Sequence, residues 1–240
     1  MTREPLPVSG ERSTVNGERS PITALLVALL LTLPALLPLL RPGFFVSDDG
    51  LFHVYRTAAL AAAWQQGVLW PRLFPDFGFG YGQAVLNFYA PLSYVPGALL
   101  SAVGVNPAAA VQAVIALSFL LAAAAAFGYG NFLFGPAGGV LAAVVYTYTP
   151  YHLADAYLRG AAPEHAAFIF PPLILWATTA AFWPGRSGSA FIIHPSSSSA
   201  AWPPLLWGSL AWAGLALTHN LTALLMAPVA MLHWLVLAAW

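Results

Sequence analysis

The chain has no cysteine and no lysine, and only 7% of its 240 residues are charged. Without cysteine there can be neither disulfides nor thiolate metal sites. Without lysine every basic side chain is an arginine, eight in all, and eight Asp and Glu balance them to a formal net charge of +0. That leaves no basic footprint for nucleic acid and no polybasic patch for anionic lipid. An ordinary soluble domain is about 25% charged, and here apolar residues take the place of the missing charge. They make up 60% of the chain, and mean hydropathy is +0.75. A water-soluble core of this length cannot hide so much apolar surface, and several runs approach the roughly 20 residues that cross a bilayer. The composition predicts an all-α, polytopic transmembrane protein whose first partner is the lipid bilayer.

Other absences narrow the chemistry. The sequence contains no Walker loop, no zinc-protease helix and no Ser-His-Asp signature. The histidines at 53, 152, 165, 194, 219 and 233 show no metal-ligand spacing, so zinc is not expected. Apart from His233, no expected span carries an ionisable residue near its middle, where a proton or ion pathway would need one.

Residues 1–20 alternate Arg3, Arg12 and Arg19 with Glu4, Glu11 and Glu18 among Pro, Ser and Gly. Too polar to bury a core, they read as a disordered tail, placed on the cytoplasmic side by its arginines. The rest, residues 21–240, reads as a transmembrane domain. Spans are expected at about 22–40, 108–130, 137–153, 166–183, 203–217 and 221–240. A polar linker is expected at 184–201, from its serine run. The first span is too long for a removable signal and has no small-residue cleavage site before Arg41-Pro42-Gly43. The chain stops inside an apolar run at Trp240, which reads as truncation of a longer protein.

Residues 41–107 form the longest stretch without a convincing span. An amphipathic surface helix is expected from Asp49, with Leu51, Val54, Tyr55, Ala58 and Ala62 on one face and Asp49, His53 and Arg56 on another. Trp70 to Gly82, rich in Pro, Gly and aromatics, should be an ordered loop at the membrane interface. Pro91 to Val103 is too short to cross and reads as a second surface helix. If it stays on the surface, the loops around Asp48-Asp49 and around Asp155 to Glu164 fall on one side of the membrane, together with His219. That side is expected to be the outer face of the plasma membrane.

Each polar group there has two readings. Asp48 and Asp49 fit a helix cap at the water interface, or a general base or a pair of Mg or Mn ligands. His53 and Arg56 fit an ion-paired helix surface, or a phosphate site built on the guanidinium. Asp155 and Arg159, at i and i+4, fit a simple ion pair. With Glu164 and His165 they also fit a phosphate and sugar site. Asp76 reads as a turn former. His219-Asn220 reads as a helix end.

The order of parts resembles the C-type superfamily of membrane glycosyltransferases, which use polyprenyl-phosphate sugars. More narrowly, a set of motifs is similar to the bacterial and archaeal membrane proteins labelled 6-pyruvoyl-tetrahydropterin synthase-related. These are Asp49-Gly50-Leu51-Phe52-His53 with Arg56, Pro71-Arg72, Pro75-Asp76, Gly80-Tyr81-Gly82, Asn87-Phe88-Tyr89-Ala90-Pro91-Leu92, and Pro150-Tyr151 to Arg159-Gly160 and Glu164. The likeness runs from about Ser47 to Trp176. It implies a C-type glycosyltransferase-like fold and sugar transfer from a polyprenyl-phosphate carrier to an acceptor outside the membrane. Asp49 would be the base, or Asp48 if the pair acts together, and Glu164 or Asp155 the carboxylate of the second loop. Arg159 would hold the departing phosphate, with Arg56, His53, Asp155 and Tyr89 on the donor side. No pterin is expected, because the histidine cluster of the soluble pterin enzyme is missing. The alternative class is a non-catalytic membrane protein that binds or moves lipid-linked glycans.

Overall fold

A computed structural model describes residues 20–183 and 202–239. The expected tail, apart from Ser20, and the expected 184–201 linker lie outside the described residues. Every regular element among the described residues is helical, and the only strand-like feature there is an isolated bridge between Phe74 and Gln83.

Helix α1, Pro21–Leu36, starts on a proline, which loses no hydrogen bond in a first turn. A short 3-10 turn, Leu37–Leu40, extends it. Its buried residues are Ala24, Ala28, Thr32 and Ala35, while Leu26, Leu30 and Leu33 point outward. A soluble helix would reverse this. In a bilayer the acyl chains solvate leucine, and small side chains let helix backbones approach. Four segments are long and apolar enough to cross a membrane: Pro21–Leu40, Pro107–Thr147, Ala162–Phe182 and Asn220–Ala239.

The second of these, helix α4 (Pro107–Thr147), is a hairpin. Its backbone breaks at Gly135, with φ 76° and ψ −176°, a conformation open to glycine, and Pro136 starts the returning limb. The limbs pack on glycine. A Cβ on Gly139 would lie 2.8 Å from Phe127 Cε2 and 2.9 Å from Asn131 Cβ, and one on Gly130 would lie 2.6 Å from Ala142 Cβ. The sequence suggested a turn from Asn131 to Pro136. The helix in fact continues to Phe134, because one glycine with positive φ suffices to reverse the chain.

The surface elements come before the hairpin. Helix α2 is Gly50–Gln65 and helix α3 is Val95–Ala102, eight residues that pack on α2 and α4 without crossing. After the hairpin come α5, Pro150–Ala154, a π turn at Asp155–Arg159, and α6, Ala162–Ala167. Helix α7, Phe170–Phe182, takes Pro171-Pro172 into its first turn, where their missing N–H groups cost little. The span expected at 166–183 therefore begins earlier, at Ala162, with a break ahead of the prolines. Helices α8, Trp202–Thr218, and α9, Asn220–Ala239, are joined at His219.

The packing fixes the direction of each helix. The start of α1 clusters with Ala123, Phe127 and Ala143, and its end with Val111, Ile115, Ala156 and Ala162. Gly214 of α8 packs on Phe170, and His233 of α9 lies 3.0 Å from Thr179 Oγ1. Ser20 and the Gly135 turn thus lie at one end of the bundle. Both acidic loops and His219 lie at the other.

Candidate functional site

The two loops are joined through their backbones. Asp48 N donates to Leu158 O at 3.1 Å and Asp49 N to Arg159 O at 2.7 Å. Gly160 makes this approach possible. It sits at φ 65°, and a Cβ there would lie 2.4 Å from Ser47 Oγ and 3.0 Å from Gly50 Cα. Beside the junction is a cavity of about 240 Å³. Asp49, His53, Arg56 and Tyr89 line it from the first loop, Arg159 and Glu164 from the second, and His219 from the α8–α9 turn.

Asp49 precedes α2 but makes no side-chain capping bond. Its carboxylate lines the cavity instead, which removes the helix-cap explanation for it. Helix α2 packs its polar face inward and leaves its apolar face outward. His53, Thr57, Leu60 and Ala61 are buried, while Leu51, Tyr55 and Ala62 are exposed. At a membrane the apolar face can look outward, which leaves the polar face to build a pocket.

The second-loop wall is a closed ion-pair network. Arg159 Nη1 donates to Asp155 Oδ1 and Glu164 Oε2, both at 2.7 Å, and lies 3.0 Å from the Tyr151 hydroxyl. Tyr151 donates to Glu164 Oε1 at 2.6 Å. Asp155 is fully buried and its Oδ2 has no partner among the described residues. Burial, reinforced by the nearby Glu164 charge and only partly offset by Arg159, pushes its carboxyl up to about 7. The π turn that carries Asp155 and Arg159 is a geometry that recurs at functional sites.

The first-loop wall centres on Arg56. Its Nη1 donates to the Tyr94 hydroxyl at 3.1 Å, and its guanidinium lies 3.9 Å from the Tyr89 ring centroid. His53 Nδ1 is 2.9 Å from the same Tyr94 hydroxyl. Burial first, then the charges of Arg56 and His219, lower the His53 imidazole to about 3, so the ring is neutral at physiological pH.

Of the residues singled out in the sequence, Asp49, His53, Arg56, Tyr89, Arg159 and Glu164 share the cavity, and Asp155 stands behind it on Arg159. Asp48 is exposed and outside the lining. Among the described residues no three His, Asp or Glu side chains come together as metal ligands. Tyr94 and His219 were missed as site residues. Tyr94 lies 41 positions from His53, and no spacing pattern relates the two.

Helices that cross a membrane and a polar cavity at one end of their bundle define a polytopic helical membrane protein. No family model matches the chain, and no solved structure matches it. It is similar to an uncharacterized protein of Lactococcus lactis subsp. cremoris, with 23% identity over 217 residues, covering 88% of this chain and 33% of that protein. The chain thus spans about a third of the relative's length.

Proposed function

We propose that this protein is a C-type glycosyltransferase-like enzyme that moves a sugar from a polyprenyl-phosphate carrier to an acceptor hydroxyl at the outer face of the plasma membrane. One observation carries the reading. A single cavity takes carboxylates from both acidic loops, and the Asp49 carboxylate is not used as a helix cap. The motif likeness over Ser47 to Trp176 supports the same reaction class.

Asp49 takes the proton of the acceptor hydroxyl as that oxygen bonds to the anomeric carbon. The bond from the anomeric carbon to the phosphate oxygen breaks, and its electron pair leaves on the carrier phosphate. A cation at the phosphate stabilises that developing charge more than the ground state, which lowers the barrier.

The test is Asp49→Asn in reconstituted membranes supplied with polyprenyl-phosphate sugar. Loss of a general base lowers turnover by about 100-fold or more, while membrane insertion and thermal unfolding stay unchanged. Full transfer by this variant would reject the assigned base. Carrier binding without any product from the native chain would instead identify a protein that binds or moves lipid-linked glycans.

A further inference from the structure

We infer that Arg56 is the seat for a phosphate group in this cavity, and that Arg159, to which the motif likeness assigns that task, is a brace within the second loop. The inference rests on the proposed function in using the same cavity, but it needs anion recognition alone and no sugar transfer.

The two arginines differ in what surrounds them. Arg159 is bonded to two carboxylates, Asp155 and Glu164. A phosphate brought to it would meet the Glu164 charge and would have to displace both carboxyl groups from the guanidinium. Its side-chain bonds all stay within the second loop, to Asp155, Glu164 and Tyr151, and so brace that loop behind the carbonyl that accepts from Asp49 N. Arg56 has no ion pair to a carboxylate among the described residues. Its partners are neutral phenols, Tyr94 through a hydrogen bond and Tyr89 through ring stacking. A half-buried cation without a counter-charge is costly, and an anion in the cavity relieves that cost. Stacking the guanidinium plane on Tyr89 leaves its N–H edge to grip oxygens in a fork, the geometry suited to phosphate.

His53 supplies a second donor. Tyr94 is 2% exposed, and its hydroxyl has two partners, Arg56 and His53. Arg56 can only donate. Were His53 Nδ1 to donate as well, the phenol hydrogen would be buried without an acceptor. The hydrogen-bond network therefore runs from Arg56 to Tyr94 and from Tyr94 to His53 Nδ1. That leaves the ring proton on Nε2, which has no protein partner among the described residues, on a ring that lines the cavity. Asp49 and Arg56 are two turns apart on α2, about 10 Å at 1.5 Å per residue. The carboxylate and the anion seat thus line the same pocket from successive turns.

Phosphate reaches such a seat either as a lipid headgroup or free in water, and two binding arms separate these sources. The full chain in lipid nanodiscs is titrated with a polyprenyl phosphate and, separately, with inorganic pyrophosphate, using ³¹P NMR to follow the bound phosphorus. Arg56→Gln should weaken binding at least about tenfold, the loss expected for a charge-assisted hydrogen bond, and Arg56→Lys should recover part of it. Arg159→Gln should lower the unfolding temperature and leave the affinity of the folded fraction near native. Binding of polyprenyl phosphate alone marks a lipid-borne ligand, and binding of both probes marks a seat for the phosphate itself. An Arg159→Gln variant that stays folded yet loses more affinity than Arg56→Gln overturns the inference. So does binding of either probe that ignores Arg56. Native binding with no sugar transferred leaves the anion seat standing while the proposed reaction fails.

Discussion

Asp155 is subject to two opposing effects. Arg159 stabilises its charged form at 2.7 Å, whereas full burial and the nearby Glu164 disfavour it, and the net result is a carboxyl raised from 3.8 to about 7. A raised folded value means that the folded chain holds this proton where the unfolded chain has lost it. The stability from that proton is fully present below 3.8 and is lost as pH rises through about 7. His53 has the opposite sign. Its value falls from 6.5 to about 3, so its contribution is complete above 6.5 and is lost as pH falls toward 3. Asn at position 155 stays neutral and can still accept from Arg159. Asp155→Asn should therefore gain on the native chain as pH rises from about 5 to about 8, read as the difference in unfolding temperature in detergent. A difference that is flat with pH would show that Asp155 keeps its charge in the folded protein. At this scale the sequence was informative where charge is scarce. Asp49, Arg56 and Glu164 stood out because so few other ionisable groups exist. Tyr94 did not, since a tyrosine in an aromatic-rich membrane protein carries no signal until folding brings it to His53 and Arg56.

At the level of elements, the α4 hairpin depends on close approach. A leucine at Gly139 would drive its Cβ into Phe127 and Asn131, both buried on the opposing limb. Gly139→Leu should destabilise the protein by roughly 1–3 kcal/mol, the usual cost of overpacking. Phe134→Leu, at a side chain 77% exposed beside the turn, should be close to neutral. Unfolding in a graded series of denaturing detergent distinguishes the two. The presence of this hairpin was readable from an apolar run punctuated by Gly135-Pro136. Its limits were not, because asparagine and aromatic residues before the turn are as compatible with a loop as with a helix end. The periodicity of α2 was readable too, but its orientation was not. Periodicity separates two faces of a helix, and only the surroundings decide which face is buried.

For the whole molecule, alternating helix directions place both acidic loops and His219 opposite Ser20 and the Gly135 turn. The absence of native cysteine makes this directly testable. An impermeant maleimide applied from outside should label Asp48→Cys and Asn220→Cys in sealed vesicles of known orientation. Ser20→Cys should react only after permeabilisation. Labelling of Ser20 and Asp48 from the same side would show that α1 does not cross, and labelling of Asp48→Cys and Asn220→Cys from opposite sides would dismantle the shared cavity. The sequence argument reached this arrangement by treating Pro91 to Val103 as a surface segment, and the eight-residue α3 agrees with it. What sequence could not supply was depth within the site. No spacing rule relates the Asp48 and Asp49 amides to Leu158 and Arg159, which lie more than a hundred residues away along the chain.

That junction has a consequence for how the site can diversify. Its hydrogen bonds join main-chain atoms only, so they do not themselves specify the side chains at positions 48, 49 and 158. Evolution can exchange side chains around the pocket while this frame keeps its shape. A proline at 48 or 49, which has no N–H to donate, or a side chain in place of the hydrogen at Gly160, would reach the frame itself.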